Sequence, residues 1–166
     1  MLKRSFFLVA AIVSVQATCN YTFKDVSIPP EVKTVSVQYI ENRARYINPQ
    51  LSPQLTDRLR QKITGQTRLT IINGDDAHYD IGGYITDFSV NTSGISGNQA
   101  SSNNLNVTVH IIFKNRLDEK KNFETDITRN FPFSASISFT DAQNRLMDDI
   151  LKNVSDDIFN KVFSNW

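Results

Sequence analysis

The 166-residue sequence holds a single cysteine, so no disulfide can form within the chain. It has two histidines, His78 and His110, and no His/Cys/Asp cluster at metal-ligand spacing. There is no Gly-x-Ser-x-Gly elbow and no glycine-rich phosphate loop. Asp75 and Asp76 are adjacent within a turn and read as solvated carboxylates, not as a coupled acid pair. These absences argue against an enzyme, and no catalytic residue, metal ligand or cofactor is nominated. Charge of one sign is also missing. Eighteen basic residues face 17 acidic ones, which excludes the strongly basic face of a nucleic-acid binder. Beyond Val15, no apolar run approaches the roughly 20 residues needed to span a bilayer.

What is present begins with the first nineteen residues. Lys3 and Arg4 precede an apolar run from Phe6 to about Val15, and Ala17 and Thr18 lead to Cys19. A helix over Ser5–Val15 would be roughly 16 Å long, against a hydrocarbon core of about 30 Å. It is too short for a lasting anchor and reads as an export signal over residues 1–18. A lone cysteine at the end of such a signal is the position acylated in bacterial lipoproteins. Ala17 suits that cleavage site, whereas Gln16 and Thr18 depart from the usual Leu and Gly or Ala. The competing reading is ordinary cleavage nearby, with Cys19 left as a spare thiol. Without Lys3 and Arg4, 18 − 2 = 16 basic residues remain against 17 acidic ones, a net charge of about −1. Residues 19–31 read as a lipidated tether, which Pro29-Pro30 keeps extended. Its eleven residues Asn20–Pro30 reach at most about 36–40 Å.

Residues 32–166 then suit one domain. Val32–Ile40 alternates apolar Val35, Val37 and Tyr39 with polar Thr34, Ser36 and Gln38, a half-buried strand. Leu51, Leu55, Leu59 and Ile63 form the apolar stripe of a first helix, capped by Asn48 or Ser52 and stopped at Gly65. Its Arg58, Arg60 and Lys62 read as a solvated face. Arg68–Asn73 and Tyr79–Val90 read as further strands, and Gly82-Gly83 within the latter marks a bulge or a close backbone approach. Asn91–Asn104 is uncharged and polar, and is expected to be a long loop, either functional or disordered. Leu105–Phe113 is the clearest strand, with Leu105, Val107, Val109, Ile111 and Phe113 on one side. A charged turn at Arg116–Lys121 leads into the strand Asn122–Phe133. A last helix starts at a Thr140/Gln143 capping box and carries Leu146, Ile150, Val154, Ile158 and Val162 every fourth residue. Trp166 reads as a packing plug. The expected fold is α+β: a two-layer sandwich of a four- to five-stranded, mostly antiparallel sheet backed by two helices.

Four segments also resemble a known family. They are SIPPEVKTVSVQYIENRA (Ser27–Ala44), INPQLSPQLTDRLRQKI (Ile47–Ile63), GGYITDFSV (Gly82–Val90) and DDIFNKVFSNW (Asp156–Trp166). In order and flavour they are similar to the Bacteroidetes branch of the LPS-assembly lipoproteins, LptE-like. The resemblance implies a lipoprotein of the cell outer membrane, lipid-anchored at Cys19 on the periplasmic side. It implies two partners, a large LptD-like LPS-translocon β-barrel that the protein plugs and helps assemble, and lipopolysaccharide itself. On this footing Asn91, Ser93, Asn98, Gln99 and Asn103 are candidates for contact with the polar barrel wall. Arg116, Lys120 and Lys121 are candidates for lipopolysaccharide phosphates, which call for cations. Two other classes remain open from the residues alone: a free periplasmic ligand-binding lipoprotein, and a surface-exposed adhesin-like one.

Overall fold

A computed structural model describes residues 28–96 and 99–164. The proposed signal, Cys19, Asn98 and Trp166 lie outside the described residues. The chain runs β1 (Thr34–Val37), β2 (Glu41–Asn42), α1 (Leu51–Gln66), β3 (Thr70–Ile71), β4 (Tyr79–Ser96), β5 (Gln99–Asn115), a short 3₁₀ turn (Glu119–Lys121), β6 (Phe123–Ser134) and α2 (Phe139–Phe163). The α+β class holds. The sheet has six strands in the order β3-β1-β4-β5-β6, with β2 also on β4, and it is mixed. β4, β5 and β6 form an antiparallel meander, while β1 lies parallel to β3 and β4, and β2 parallel to β4.

The first strand is interrupted where its pattern looked continuous. β1 and β2 lie along the same edge of β4, opposite Tyr79–Ile81 and Tyr84–Ile85. Between them the Ile40 amide leaves the ladder and donates to the buried Thr56 hydroxyl of α1 at 3.1 Å. Ile40 is thereby turned inward and is fully buried.

One sheet face carries the core. Leu105, Val107, Val109, Ile111 and Phe113 of β5 are buried, as the alternation predicts, with Ile81, Ile85 and Phe88 of β4 beside them. Leu51, Leu55, Leu59 and Ile63 of α1 close over this face, together with Ile150, Val154, Ile158, Phe159 and Phe163 of α2. Fully burying a side chain of this size contributes about 1.5–3 kcal/mol, so the stripe positions dominate the stability of this layer.

The helix ends differ in detail from the sequence reading. The N-cap of α1 is Gln50; Asn48 contributes by accepting the Gln50 amide at 2.9 Å, and Ser52 lies inside the first turn. The helix passes through Gly65 and ends at Thr67, whose amide and hydroxyl both donate to the Ile63 carbonyl, at 3.0 and 2.8 Å. The N-cap of α2 is Ser138, not Thr140: its hydroxyl accepts the Asp141 amide at 3.1 Å and donates to the Asp141 carboxylate at 2.7 Å. Two cations on α1 are engaged rather than solvated. Arg60 donates to the Val37 carbonyl at 2.7 Å, and Lys62 pairs with Asp156 of α2 at 2.6 Å.

Asn48 near the start of α1 donates to Gln143 near the start of α2, and Lys62 near the end of α1 meets Asp156 well along α2. The two helices therefore run in the same direction, with both N-termini at one end of the sheet and both C-termini at the other.

Candidate functional site

The polar segment Asn91–Asn104 is not a loop. β4 and β5 stay paired through it, from Val90↔Leu105 through Asn91↔Asn104 and Thr92↔Asn103 to Ser96↔Gln99, with register shifts around Gly94. A backbone ladder needs no apolar side chains to persist, and β6 accompanies it as far as Ser102↔Ser134. The structure thus places Asn91, Ser93, Gln99 and Asn103 on one long hairpin. Asn91 is exposed and Asn103 half-buried. Toward the helices, the base of this hairpin is anchored by Phe88. Its ring packs 6.0 Å from both Tyr46 and Phe139, and Tyr46 meets Phe139 edge-on at 4.9 Å.

Arg116, Lys120 and Lys121 lie at the other end of β5, some 16 strand residues away, or roughly 50 Å at about 3.3 Å per residue. The turn is held by Asn115 and Asp118. The Asn115 carboxamide oxygen accepts the Leu117 and Asp118 amides, and the Asp118 carboxylate accepts the Lys120 amide. All three cations are exposed. Their ion pairs are long, Arg116–Asp75 at 3.7 Å and Lys121–Asp118 at 3.9 Å, which leaves the charges available to another anion. Where the described chain begins, Ile28 and Pro29 lie at this same end: the Ile28 carbonyl accepts from Arg68 at 2.6 Å, and both residues line a cleft with Phe113 and Phe163. The described chain therefore begins at the end opposite the polar hairpin.

The sheet face away from the helices holds a grouping the sequence reading missed. Arg43 stacks over the Tyr84 ring at 4.3 Å, and Tyr84 lies 5.1 Å from the His110 ring. His110 meets Asp126 at 2.7 Å through Nδ1 and Glu124 at 3.4 Å through Nε2. The hydrogen bond to Asp126, with smaller help from Glu124 and the two carboxylate charges, holds the imidazole pKa above its ordinary value against the opposing effect of desolvation. The period-two pattern placed His110 on this face, but it does not show which residues stand opposite on β4 and β6. His78 is a structural acceptor: its Nδ1 takes the Lys33 amide at 3.0 Å. Among the described residues no group of three or more His, Cys, Asp or Glu side chains is arranged to hold a metal ion. No described helix is long and apolar enough to cross a membrane.

This architecture is shared with proteins of known structure, two lipoproteins among them. A minor lipoprotein of Acinetobacter baumannii is 16% identical, with a TM-score of 0.50 over 76% of this chain and 88% of that one. A lipoprotein B of Nitrosomonas europaea is 15% identical, with a TM-score of 0.51 over 81% and 88%. The PelC dodecamer of Paraburkholderia phytofirmans, at 10% identity, gives a TM-score of 0.51 over 86% and 96%. At such identities the likeness defines the fold class, a mixed sheet backed by two helices. Among curated proteins, none matches the sequence. The family model LptE, lipopolysaccharide-assembly, matches residues 32–162, and the chain belongs to that family. Its members are outer-membrane-associated lipoproteins of lipopolysaccharide assembly.

Proposed function

We propose that this protein is an outer-membrane lipoprotein, acylated at Cys19 and facing the periplasm. It plugs an LptD-like translocon barrel, supports assembly of that barrel and helps deliver lipopolysaccharide to the outer leaflet. The observation that carries this reading is the separation of the two ends. An uncharged hairpin of Asn, Ser, Thr and Gln projects at one end of the sheet, and the tether joins at the other. Wide barrels have polar, water-lined interiors, and neutral hydrogen-bonding side chains meet such a wall with less desolvation cost than charges. A lipid at the tether end would hold the body at the membrane while the hairpin points into the lumen. Arg116, Lys120 and Lys121 are proposed to meet lipopolysaccharide phosphates at the tether end, the end it would reach from the periplasm.

The test is affinity purification of the tagged full chain from its own membranes, beside a variant in which residues 93–101 are replaced by a two-residue Asn-Gly turn. The expected result is co-purification of a very large barrel with the parent chain and much less with the variant, alongside diacyl or triacyl Cys19 in the mass of the mature N-terminus. Equal barrel recovery from both would remove the hairpin from the interface. A chain that travels alone would point instead to a free periplasmic carrier. Reversal of Arg116, Lys120 and Lys121 to Glu is expected to weaken lipopolysaccharide binding; undiminished binding makes those residues spectators.

A further inference from the structure

At the tether end, a cleft of about 500 Å³ opens between the β5–β6 hairpin and the C-terminal turn of α2. This is within the range of ligand pockets, roughly 300–1,000 Å³. Its floor is aromatic. Tyr79 meets Phe113 edge-on at 5.0 Å and Phe163 at 6.3 Å, and Phe113 lies 5.1 Å from Phe123. Burial, and secondarily the Glu31 charge, push the Tyr79 hydroxyl pKa up, so this floor stays neutral.

Two ammonium groups stand at the rim. Lys161 of α2 lies 5.8 Å from the Phe123 ring and makes no ion pair among the described residues, and Lys121 has only the 3.9 Å contact with Asp118. Glu124 also lines the cleft, but its carboxylate is turned toward His110 on the opposite sheet face. Ammonium groups above an apolar floor complement a ligand with an anionic head and an alkyl chain.

We propose that this cleft binds a single-chain anionic amphiphile, with the alkyl chain along Tyr79, Phe113 and Phe163 and a phosphate or carboxylate head between Lys121 and Lys161. The site requires neither a barrel nor lipopolysaccharide, so it stands or falls separately from the plug reading.

The experiment uses the full chain in phosphatidylcholine nanodiscs, labelled with dodecyl phosphate carrying a diazirine near its chain end, with the adducts mapped by mass spectrometry. Adducts are expected within Phe113–Thr125 and Lys161–Ser164. Unlabelled dodecyl phosphate or laurate should compete, whereas inorganic phosphate and neutral dodecyl maltoside should not. The double reversal K121E/K161E should reduce labelling about tenfold or more, because it replaces both ammonium groups at the head position with carboxylates that repel it. A second variant, T125W, narrows the cleft from a half-buried lining position and should block labelling with the melting temperature preserved. Absent or scattered adducts overturn the site. Competition by inorganic phosphate equal to that by dodecyl phosphate reduces it to an anion contact, and equal competition by the maltoside removes the role of the lysines; either result overturns the proposal.

Discussion

A Cβ atom at Gly83 would sit 2.2 Å from the carbonyl oxygen of His110 on the neighbouring strand. β4 and β5 approach at this point to a distance that only hydrogen on the α-carbon allows, and no flexible side chain can yield, because the obstacle is backbone. Gly82 differs: a Cβ there would touch only the Gln38 side chain, at 3.6 Å. Gly83→Ala is therefore expected to destabilise by about 2–4 kcal/mol, and Gly82→Ala by less than about 1. Urea denaturation of the two variants checks the contrast, and equal midpoints would contradict it.

The buried pair Asn48–Gln143 joins the starts of the two helices at 3.1 Å, and Asn48 also accepts the Gln50 amide. Asn48→Ala removes both bonds and leaves the Gln143 carboxamide without this partner. The expected loss is about 1–3 kcal/mol, read as a lower urea midpoint with an unchanged m-value.

His110 makes stability depend on pH. Its native pKa is raised, chiefly by the bond to Asp126, so the folded state holds the proton more tightly than the unfolded chain does. The resulting stabilisation is fully present below the unfolded value of 6.5 and is lost as pH rises through the higher native value. His110→Gln should flatten the fall in stability above pH 6.5, and Asp126→Asn should shrink it. Denaturation midpoints at half-unit intervals from pH 5.5 to 8.5 test this, together with the imidazole titration by NMR. A parent chain with no such slope refutes the assignment.

Reversal of Arg116, Lys120 and Lys121 should leave the fold intact. All three are exposed and the ion pairs of Arg116 and Lys121 are long, so each change is expected to shift stability by no more than about 0.5 kcal/mol. A thermal melt of the triple variant gives the control needed before any loss of lipopolysaccharide binding is ascribed to those charges.

The parts of the fold visible in the sequence were those whose burial repeats along one element. Leu105 to Phe113 alternates cleanly, and the stripes Leu51–Ile63 and Ile150–Val162 recur every fourth residue, so β5 and both helices follow directly. The polar continuation of β4 and β5 did not, because Asn, Ser and Gly have low strand propensity and the ladder there is carried by backbone pairing with a neighbour. β3 falls inside the strand read over Arg68–Asn73 but is only two residues long, and β2, also two residues, is below the length at which any period can be seen. Capping chemistry was legible, but its position shifted: Ser138 and Asp141 have the same spacing as Thr140 and Gln143, two residues earlier. The cations at the β5–β6 turn could be named from sequence, whereas Lys161 could not, because its place beside Phe123 depends on how α2 lies across the sheet.

The parallel placement of β1 against β4 carries a consequence for how the chain reaches this state. β4, β5 and β6 are successive neighbours and can zip by short-range closure, but β1 can join that meander only through β4, which follows it by β2, the whole of α1 and β3. Closing that long loop is the slow, entropy-limited event. The first strand of the sheet is thus joined to the meander last, only after the strands that follow it in the chain have formed.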